Sequence, residues 1–369
     1  MRSIVLLLLF AATSAAQSLP QPPSQTFEEL SAKAQQAYES NRPEEAADLY
    51  GRAVKLHPDW AQGWWAIGMI EYERDRYPEC RDALTRMVEL DASAAPGWAL
   101  LGLCEFRTKQ YDASFQHLKK AHVLVPVTQP GGQLMEVADF HLSMLLTQQG
   151  AFELAQEFLM RVARKVHNNP EMMFAAGLPS LRMPILPSDV RANQRDVVTM
   201  AGKAFWDLAT QEPEVAEADF TALVSKYPKY PNVHYFYGTY LAARHPEQCA
   251  PEFLRELRIT PDSVPARVEL ALQYILDGKL DEALKFADEA VALSPDSVGA
   301  QLARAKALQS RGDREGALVA YLAAKRLDPV SPVIRLYIVN TYRALGRIED
   351  LQREKAEYDR LKAEQANWP

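Results

Sequence analysis

The stretch "LDGKLDEALKFADEAVALSPDS", residues 276–297, is echoed by "QSRGDREGALVAYLAAKRLDPVS", residues 309–331. The shared residues come back after 34 positions: Gly278 and Gly312, Ala283 and Ala317, Pro295 and Pro329. Most residues between them differ. A period of this length that keeps only a turn residue, a small residue and a proline indicates a repeated structural unit.

Apolar residues inside one period keep helical spacing in two separate runs. The first run includes Val268, Leu272 and Ile275, and the second includes Ala283 and Ala290. A polar break containing Gly278 separates the runs, and Ser294-Pro295-Asp296 follows the second. The pattern predicts a helix, a turn, a second helix and another turn.

A series of small residues extends the period along the chain: Ala34, Gly68, Gly102, Ser143, Ala204, Gly238, Ala271 and Ala305. Two steps are longer than the rest, because extra residues occur around "QPGGQL" and within 170–194. Small side chains let two antiparallel helices approach closely where they cross. We therefore expect Ala271 to face Ala283 and Ala290 on the second helix of its unit.

The repeated pattern of Trp64, Ile67, Gly68 and Leu84, with Ala283, Ala290 and Pro295, resembles the tetratricopeptide repeat (TPR). The resemblance implies an all-α fold, a right-handed α-solenoid of about nine TPR-like helical hairpins with a Pro-rich interruption. It also implies a concave groove lined by the first helix of each hairpin. Exported bacterial TPR-containing proteins are the group that the chain resembles most.

The period divides the chain into segments. We predict a cleavable signal peptide at 1–16, a disordered linker at 17–26, an N-terminal array of four units at 27–169, a Pro-rich apolar insert at 170–196, and a C-terminal array of five units at 197–365. The units are 27–60, 61–94, 95–128, 136–169, 197–230, 231–263, 264–297, 298–331 and 332–365. The last unit, with its charged "LQREKAEYDRLKAEQ", is predicted to be a cap.

The insert allows two interpretations. Its four prolines, at 170, 179, 184 and 187, prevent one continuous helix, yet it is too apolar for a free linker. One interpretation is a degenerate helix with an ordered connector. The other is an internal plug that lies in the groove and competes with an outside ligand.

The first sixteen residues, "MRSIVLLLLFAATSAA", are typical of a secretory signal cleaved near Ala16. We expect export to the periplasm or the medium, and no later stretch predicts a membrane span. Three cysteines do not make a disulfide framework. Cys80 and Cys104 lie on neighbouring predicted helices and could pair, but we interpret all three as small buried residues.

Composition and charge exclude several classes of function. With 48% hydrophobic and 24% charged residues the chain should fold, and its net charge of −7 disfavours nucleic acid as a partner. No two histidines have metal-binding helical spacing, and His245 with Cys249 makes only two ligands across Pro246. No nucleophile or phosphate-loop motif occurs. We predict no enzyme, no metal and no cofactor.

The resemblance places nine large residues in the groove as a peptide-binding lining: Trp65, Met69, Tyr72, Leu103, Phe106, Phe140, Met144, Phe205 and Tyr235. Farther along the same face come Leu272 and Ile275. Such residues give large contact areas to a bound peptide. The alternative is that curvature or the insert buries them as core.

A carboxylate-clamp ligand, known for some members of the family, is not supported, because the matching positions hold residues such as Ser31, Gln35 and Leu100. Lys306, Asn340 and Arg343 form a small polar group near the C-terminus. We predict a non-enzymatic scaffold for a protein or peptide ligand outside the cytoplasm. The alternative is an accessory or docking subunit of an envelope enzyme or polysaccharide machine.

Overall fold

The computed structural model describes residues 25–125, 132–166, 168–210 and 213–364. The predicted signal peptide and most of the predicted linker lie outside these residues. The chain divides into two compact units, one ending at Ala92 and one beginning at Ser93. Each unit is described by itself below.

The first unit contains two helical hairpins. Its helices are α1 (Phe27–Glu39), α2 (Pro43–Leu56), α3 (Ala61–Glu73) and α4 (Tyr77–Leu90). A core of Leu30, Ala34, Leu49, Tyr50 and Ile70 joins α1, α2 and α3, and α4 packs on α3. These residues recur at helical spacing on the faces that meet.

The second unit contains seven further hairpins and one additional helix. Its helices are α5 (Ala95–Arg107), α6 (Tyr111–Leu124), α7 (Gln133–Gln148), α8 (Phe152–Ala163), α9 (Pro170–Ser180), α10 (Arg195–Ala209), α11 (Pro213–Lys226), α12 (Val233–Arg244), α13 (Pro246–Ile259), α14 (Val264–Leu276), α15 (Leu280–Leu293), α16 (Val298–Ser310), α17 (Arg314–Leu327), α18 (Pro332–Ala344) and α19 (Ile348–Glu364). Over the described residues the prediction of an all-α solenoid of nine hairpins is confirmed, and α9 is an additional helix outside the nine hairpins.

The turn inside each hairpin explains the recurrence of Gly278 and Gly312. Both glycines adopt left-handed backbone conformations, with φ of 73° and 88°, just after the first helix ends. This conformation closes a helix C-terminus and is least strained for glycine. In the first unit the same place is taken by Asn41 and Asp75, also with positive φ.

A repeated serine begins the first helix of three successive hairpins. Ser263, Ser297 and Ser331 are the N-caps of α14, α16 and α18, and each side chain accepts a hydrogen bond from a backbone N–H in the first turn. Such caps satisfy a donor that the helix itself leaves unpaired. They therefore fix where each repeat restarts.

Small residues mark the helix crossings, as the sequence predicts. A Cβ atom on Gly68 would lie 2.5 Å from Leu84 Cγ, so α3 and α4 meet too closely for a larger residue. Ala271 is fully buried and belongs to a cluster with Ala287 on α15 and Ala303 on α16. Helix α14 packs on α16 of the next hairpin as well as on α15. Ala283 and Ala290 are also fully buried, and their contact with Ala271 stays a prediction.

Candidate functional site

Four of the nine predicted groove residues are half-buried and keep part of their side chain accessible. Trp65, Met69 and Tyr72 follow one another at helical spacing on α3 of the first unit. Phe106 lies on α5 of the second unit, where its ring packs edge-on against Tyr111 at 5.4 Å between centroids. We call Trp65, Met69 and Tyr72 the α3 stripe.

The other five predicted groove residues do not line an open surface, and this part of the prediction is corrected. Their exposed fractions lie between 1% and 9%: Leu103, Phe140, Met144, Phe205 and Tyr235. Leu103 is enclosed because α5 packs against both α6 and α7. The remaining four belong to one large core cluster. In this structure they are enclosed and stabilise the fold.

The insert contributes to the burial of the four residues in the large core cluster. Helix α9 packs on α10 at a crossing where two glycines face each other. A Cβ atom on Gly177 would lie 2.0 Å from the Val198 carbonyl oxygen, and one on Gly202 would lie 1.9 Å from the Met173 carbonyl oxygen. Backbones touch at this point, so α9 is an integral part of the second unit.

Residues 181–194, which we call the strap, follow α9 and lead into α10. The strap contains two short 3₁₀ turns, Pro187–Asp189 and Ala192–Gln194. Its apolar side chains Leu181, Leu186 and Val190 are buried in the cluster that contains Phe140, Met144, Phe205 and Tyr235. The insert is therefore an ordered helix and connector, and its buried leucines complete the core around the predicted lining.

Arg182 fastens the strap to the neighbouring hairpins. Its guanidinium forms an ion pair with Glu153 at the start of α8 and lies 4.8 Å from the centre of the Phe152 ring. It also lies 5.3 Å from the ring centre of Tyr235 on α12, and Nη1 is 3.5 Å from the Tyr235 hydroxyl. One cation thus links the strap to α8 and α12.

The electrostatic environment of this place favours neutral or paired groups. Burial raises the pKa of the Tyr235 hydroxyl, with a smaller contribution from the charge of Glu269 on α14. Burial likewise raises the pKa of the half-buried Glu269 carboxyl, and the negative charge of Glu153 adds to the effect. Arg182 therefore supplies a positive charge where two carboxylates approach.

Farther along the second unit, the first helices of the last hairpins remain open. Leu272 and Ile275 on α14 are half-buried, and Val333 on α18 is 56% exposed. The predicted polar group of Lys306, Asn340 and Arg343 makes two separate sets of contacts. The Lys306 ammonium lies 5.2 Å from the ring centre of Tyr337, and Arg343 donates a hydrogen bond to Asn340 at 2.9 Å.

Nothing in the described residues assembles into a metal centre: no group of three or more His, Cys, Asp and Glu side chains could hold an ion there. His245 is the N-cap residue of α13, and burial raises the pKa of the Cys249 thiol to about 11. A thiol with such a pKa is a poor nucleophile at neutral pH.

The interpretation of the cysteines as buried residues holds for the free thiol of Cys249. Cys80 and Cys104 are also buried, but they are disulfide-bonded, so the interpretation of them as unpaired small residues is corrected. Spacing alone could not decide this, because bonding depends on side-chain geometry in the folded chain.

None of the described helices combines the length and apolar character needed to cross a bilayer. This result agrees with the sequence, in which the only long apolar run lies near the N-terminus, outside the described residues.

Sequence reasoning did not single out Arg182. One signal was available in the sequence. Arg182 is the only charged residue between Met173 and Ile185, and it lies within the apolar run "LPSLRMPIL". A single cation among apolar residues suggests a buried ion pair, but the identity of its partner, Glu153, depends on the folding of α8.

Comparison with known proteins supports the repeat assignment. Residues 31–95 match the family described as tetratricopeptide repeat. No curated protein matches the sequence at a significant level.

Several solved structures are similar to the chain. "MamA 41-end from Desulfovibrio magneticus RS-1" is 16% identical, with a TM-score of 0.39, covering 47% of this chain and 96% of that chain. The APC/C hetero-tetramer Cut9-Hcn1 is 14% identical, with a TM-score of 0.35, covering 91% and 72%. The P58(IPK) TPR domain is 13% identical, with a TM-score of 0.30, covering 87% and 98%.

Proposed function

We propose that this chain, which is built of tetratricopeptide repeats, is a non-enzymatic scaffold that binds a protein or peptide outside the cytoplasm. The observation that carries the proposal is the α3 stripe. Trp65, Met69 and Tyr72 are large, lie on one face of a first helix, and keep part of their surface accessible. They also lie within residues 31–95, the segment that matches the repeat family.

Residues of this kind suit peptide recognition. Tryptophan and tyrosine offer large contact areas and lose little side-chain entropy on binding. An amphipathic or extended segment can lay its apolar side chains against such a stripe. The residues that remain open therefore favour recognition.

Two features support a location outside the cytoplasm. The N-terminal sequence is typical of a secretory signal. Disulfide-bonded cysteines, here Cys80 and Cys104, are typical of proteins from oxidising compartments.

The test is a pull-down from envelope extract with residues 17–369, which include every described residue. The wild type is compared with the double variant Trp65→Ala, Tyr72→Ala, and bound proteins are identified by mass spectrometry. We expect a partner that is recovered with the wild type and lost with the double variant. Recovery of a single large enzyme would favour the docking-subunit alternative over capture of varied peptides.

The matched control is Thr85→Ala, an exposed residue on α4 of the same unit. It should retain the partner, and all three proteins should keep similar helicity by circular dichroism. Equal recovery with wild type and double variant would contradict recognition by the α3 stripe. Loss of helicity in the double variant would show instead that the stripe is core.

A further inference from the structure

We propose that the strap is an internal ligand. The site beneath it, bounded by Glu153 and Tyr235, binds an extended peptide that carries one arginine flanked by leucine and proline, as the strap itself does. This inference goes beyond the α3 stripe, because it concerns a different surface in the second unit. Either hypothesis can fail while the other holds.

The first argument is how the backbone of the strap is bonded. Three backbone hydrogen bonds of residues 184–194 stay within the strap: Ile185 to Met183, Asp189 to Leu186, and Gln194 to Arg191. At the end of the strap, the Arg195 N–H of α10 donates to the Ala192 carbonyl. Nearer α9, the Leu181 carbonyl accepts one bond from the Asn232 side chain at 3.0 Å.

The second argument is that residues 184–194 are held against the neighbouring hairpins by side chains, whereas Leu181, Arg182 and Met183 also donate backbone hydrogen bonds to α9. Arg182 supplies the ion pair with Glu153 and lies over two aromatic rings. At the far end, the Gln194 amide donates to the Tyr230 hydroxyl at 3.3 Å. Segments fixed by few side chains, without backbone pairing to their neighbours, open more readily than the surrounding helices.

The third argument is the space beside the strap. A cavity of about 560 Å³ lies between strap residues, including Met183 and Ile185, and the turn of Tyr230 and Pro231 before α12. The strap is thus packed firmly through Leu181, Leu186 and Val190 but incompletely along this edge. The free volume gives it room to shift without unpacking α9.

The chemistry of the bound peptide follows from the groups that would be exposed if the strap moved away. Without Arg182, Glu153 loses its cation and the Tyr235 ring loses the guanidinium beside it. Apolar sites that held Leu186 and Val190 would also face water. An incoming segment therefore needs an arginine to pair with Glu153 and apolar residues on its C-terminal side.

The experiment uses residues 17–369 and a fluorescein-labelled peptide with the sequence of residues 178–191, LPSLRMPILPSDVR. Arg182→Ala in the protein weakens the internal strap but leaves Glu153 in place. We expect this variant to bind the labelled peptide at least tenfold more tightly than the wild type, measured by fluorescence anisotropy. A labelled peptide carrying the same Arg182→Ala change should bind neither protein.

Glu153→Gln on the protein breaks the same ion pair without changing the strap. Hydrogen exchange should then accelerate at strap amides, by about tenfold, while α10 and α12 keep their wild-type rates. The same variant should not gain peptide binding, because it lacks the carboxylate that the peptide's arginine needs. Arg191→Ala is the matched control, since Arg191 is an exposed strap residue without an ion pair to any described residue.

Two results would overturn the proposal. One is equal peptide binding by wild type and Arg182→Ala. The other is strap exchange in Glu153→Gln that stays at the wild-type rate or rises together with α10 and α12, which would make the strap a permanent part of the core. If Arg182→Ala does not fold, the exchange of Glu153→Gln decides the question alone.

Discussion

The α3 stripe and the lining of the middle hairpins occupy the same repeat positions but have opposite fates. Trp65 on α3 keeps part of its surface accessible, whereas Phe205 on α10 is 2% exposed. Their residue types are alike. The difference is that Phe205 belongs to a core cluster that includes residues of α9 and the strap. Position within a repeat therefore fixes which face a side chain takes, and neighbouring elements decide whether that face is a site or a core.

The largest expected effect tests that difference directly. Phe205→Ala should destabilise the protein by about 3–5 kcal/mol, because it removes a large buried side chain and leaves a cavity. Trp65→Ala should cost about 1–2 kcal/mol, since a half-buried side chain has less apolar surface to lose. The measurement is urea denaturation of both variants followed by circular dichroism. Equal shifts of the midpoint would show that the stripe is core as well.

The next effect concerns the crossing that holds the insert in place. Gly177→Ala should destabilise the protein by about 3 kcal/mol, because its Cβ would press on backbone atoms of α10 that cannot rotate away. Urea denaturation followed by circular dichroism measures this loss of stability. We also expect faster hydrogen exchange in α9.

Gly51→Ala is the control for this change. Gly51 lies inside α2, and a Cβ there would meet no atom within 4 Å. The substitution should be neutral or stabilise by up to about 1 kcal/mol through helix propensity. If Gly177→Ala behaves in the same way, α9 does not cross α10 as closely as the structure indicates.

The smallest effect is a pair of pH dependences with opposite sign in the second unit. Burial lowers the pKa of His141 to about 4, so the unfolded chain binds the proton more readily. Stability should then fall by about 2 kcal/mol between pH 7 and pH 5. The buried His234 donates from Nδ1 to the Glu252 carboxylate at 2.6 Å, and that hydrogen bond raises the pKa of His234. Its contribution is complete below about pH 6.5 and is lost as the pH rises through the raised pKa.

Melting curves of His141→Gln and His234→Gln from pH 5 to pH 8 separate the two contributions. The first variant should lose the decline toward pH 5, and the second should lose stability mainly at low pH. The exposed Thr85, which does not titrate, provides the control, because Thr85→Ala should leave the profile unchanged. Parallel profiles for all three variants would contradict the assignments.

The sequence predicted the repeated parts of the molecule well. The recurrence of Gly278 and Gly312 predicted the turns, and Gly68 predicted the close crossing of α3 and α4. Residues within one hairpin are close in sequence, so their contacts follow from helical spacing. The groove residues could not be predicted with the same success, because Phe140 and Tyr235 meet the insert across many residues of sequence.

By itself, the sequence determined the all-α class, the 34-residue period, the hairpins and the position of the interruption. Turn residues, caps and small crossing residues act locally and therefore appear in the sequence at a fixed interval. Only the tertiary structure decided that α9 joins α10 through two glycines, that Arg182 pairs with Glu153, and which predicted groove residues are core. These contacts join segments with different local patterns, and no periodicity records which surfaces a non-repeated segment will cover.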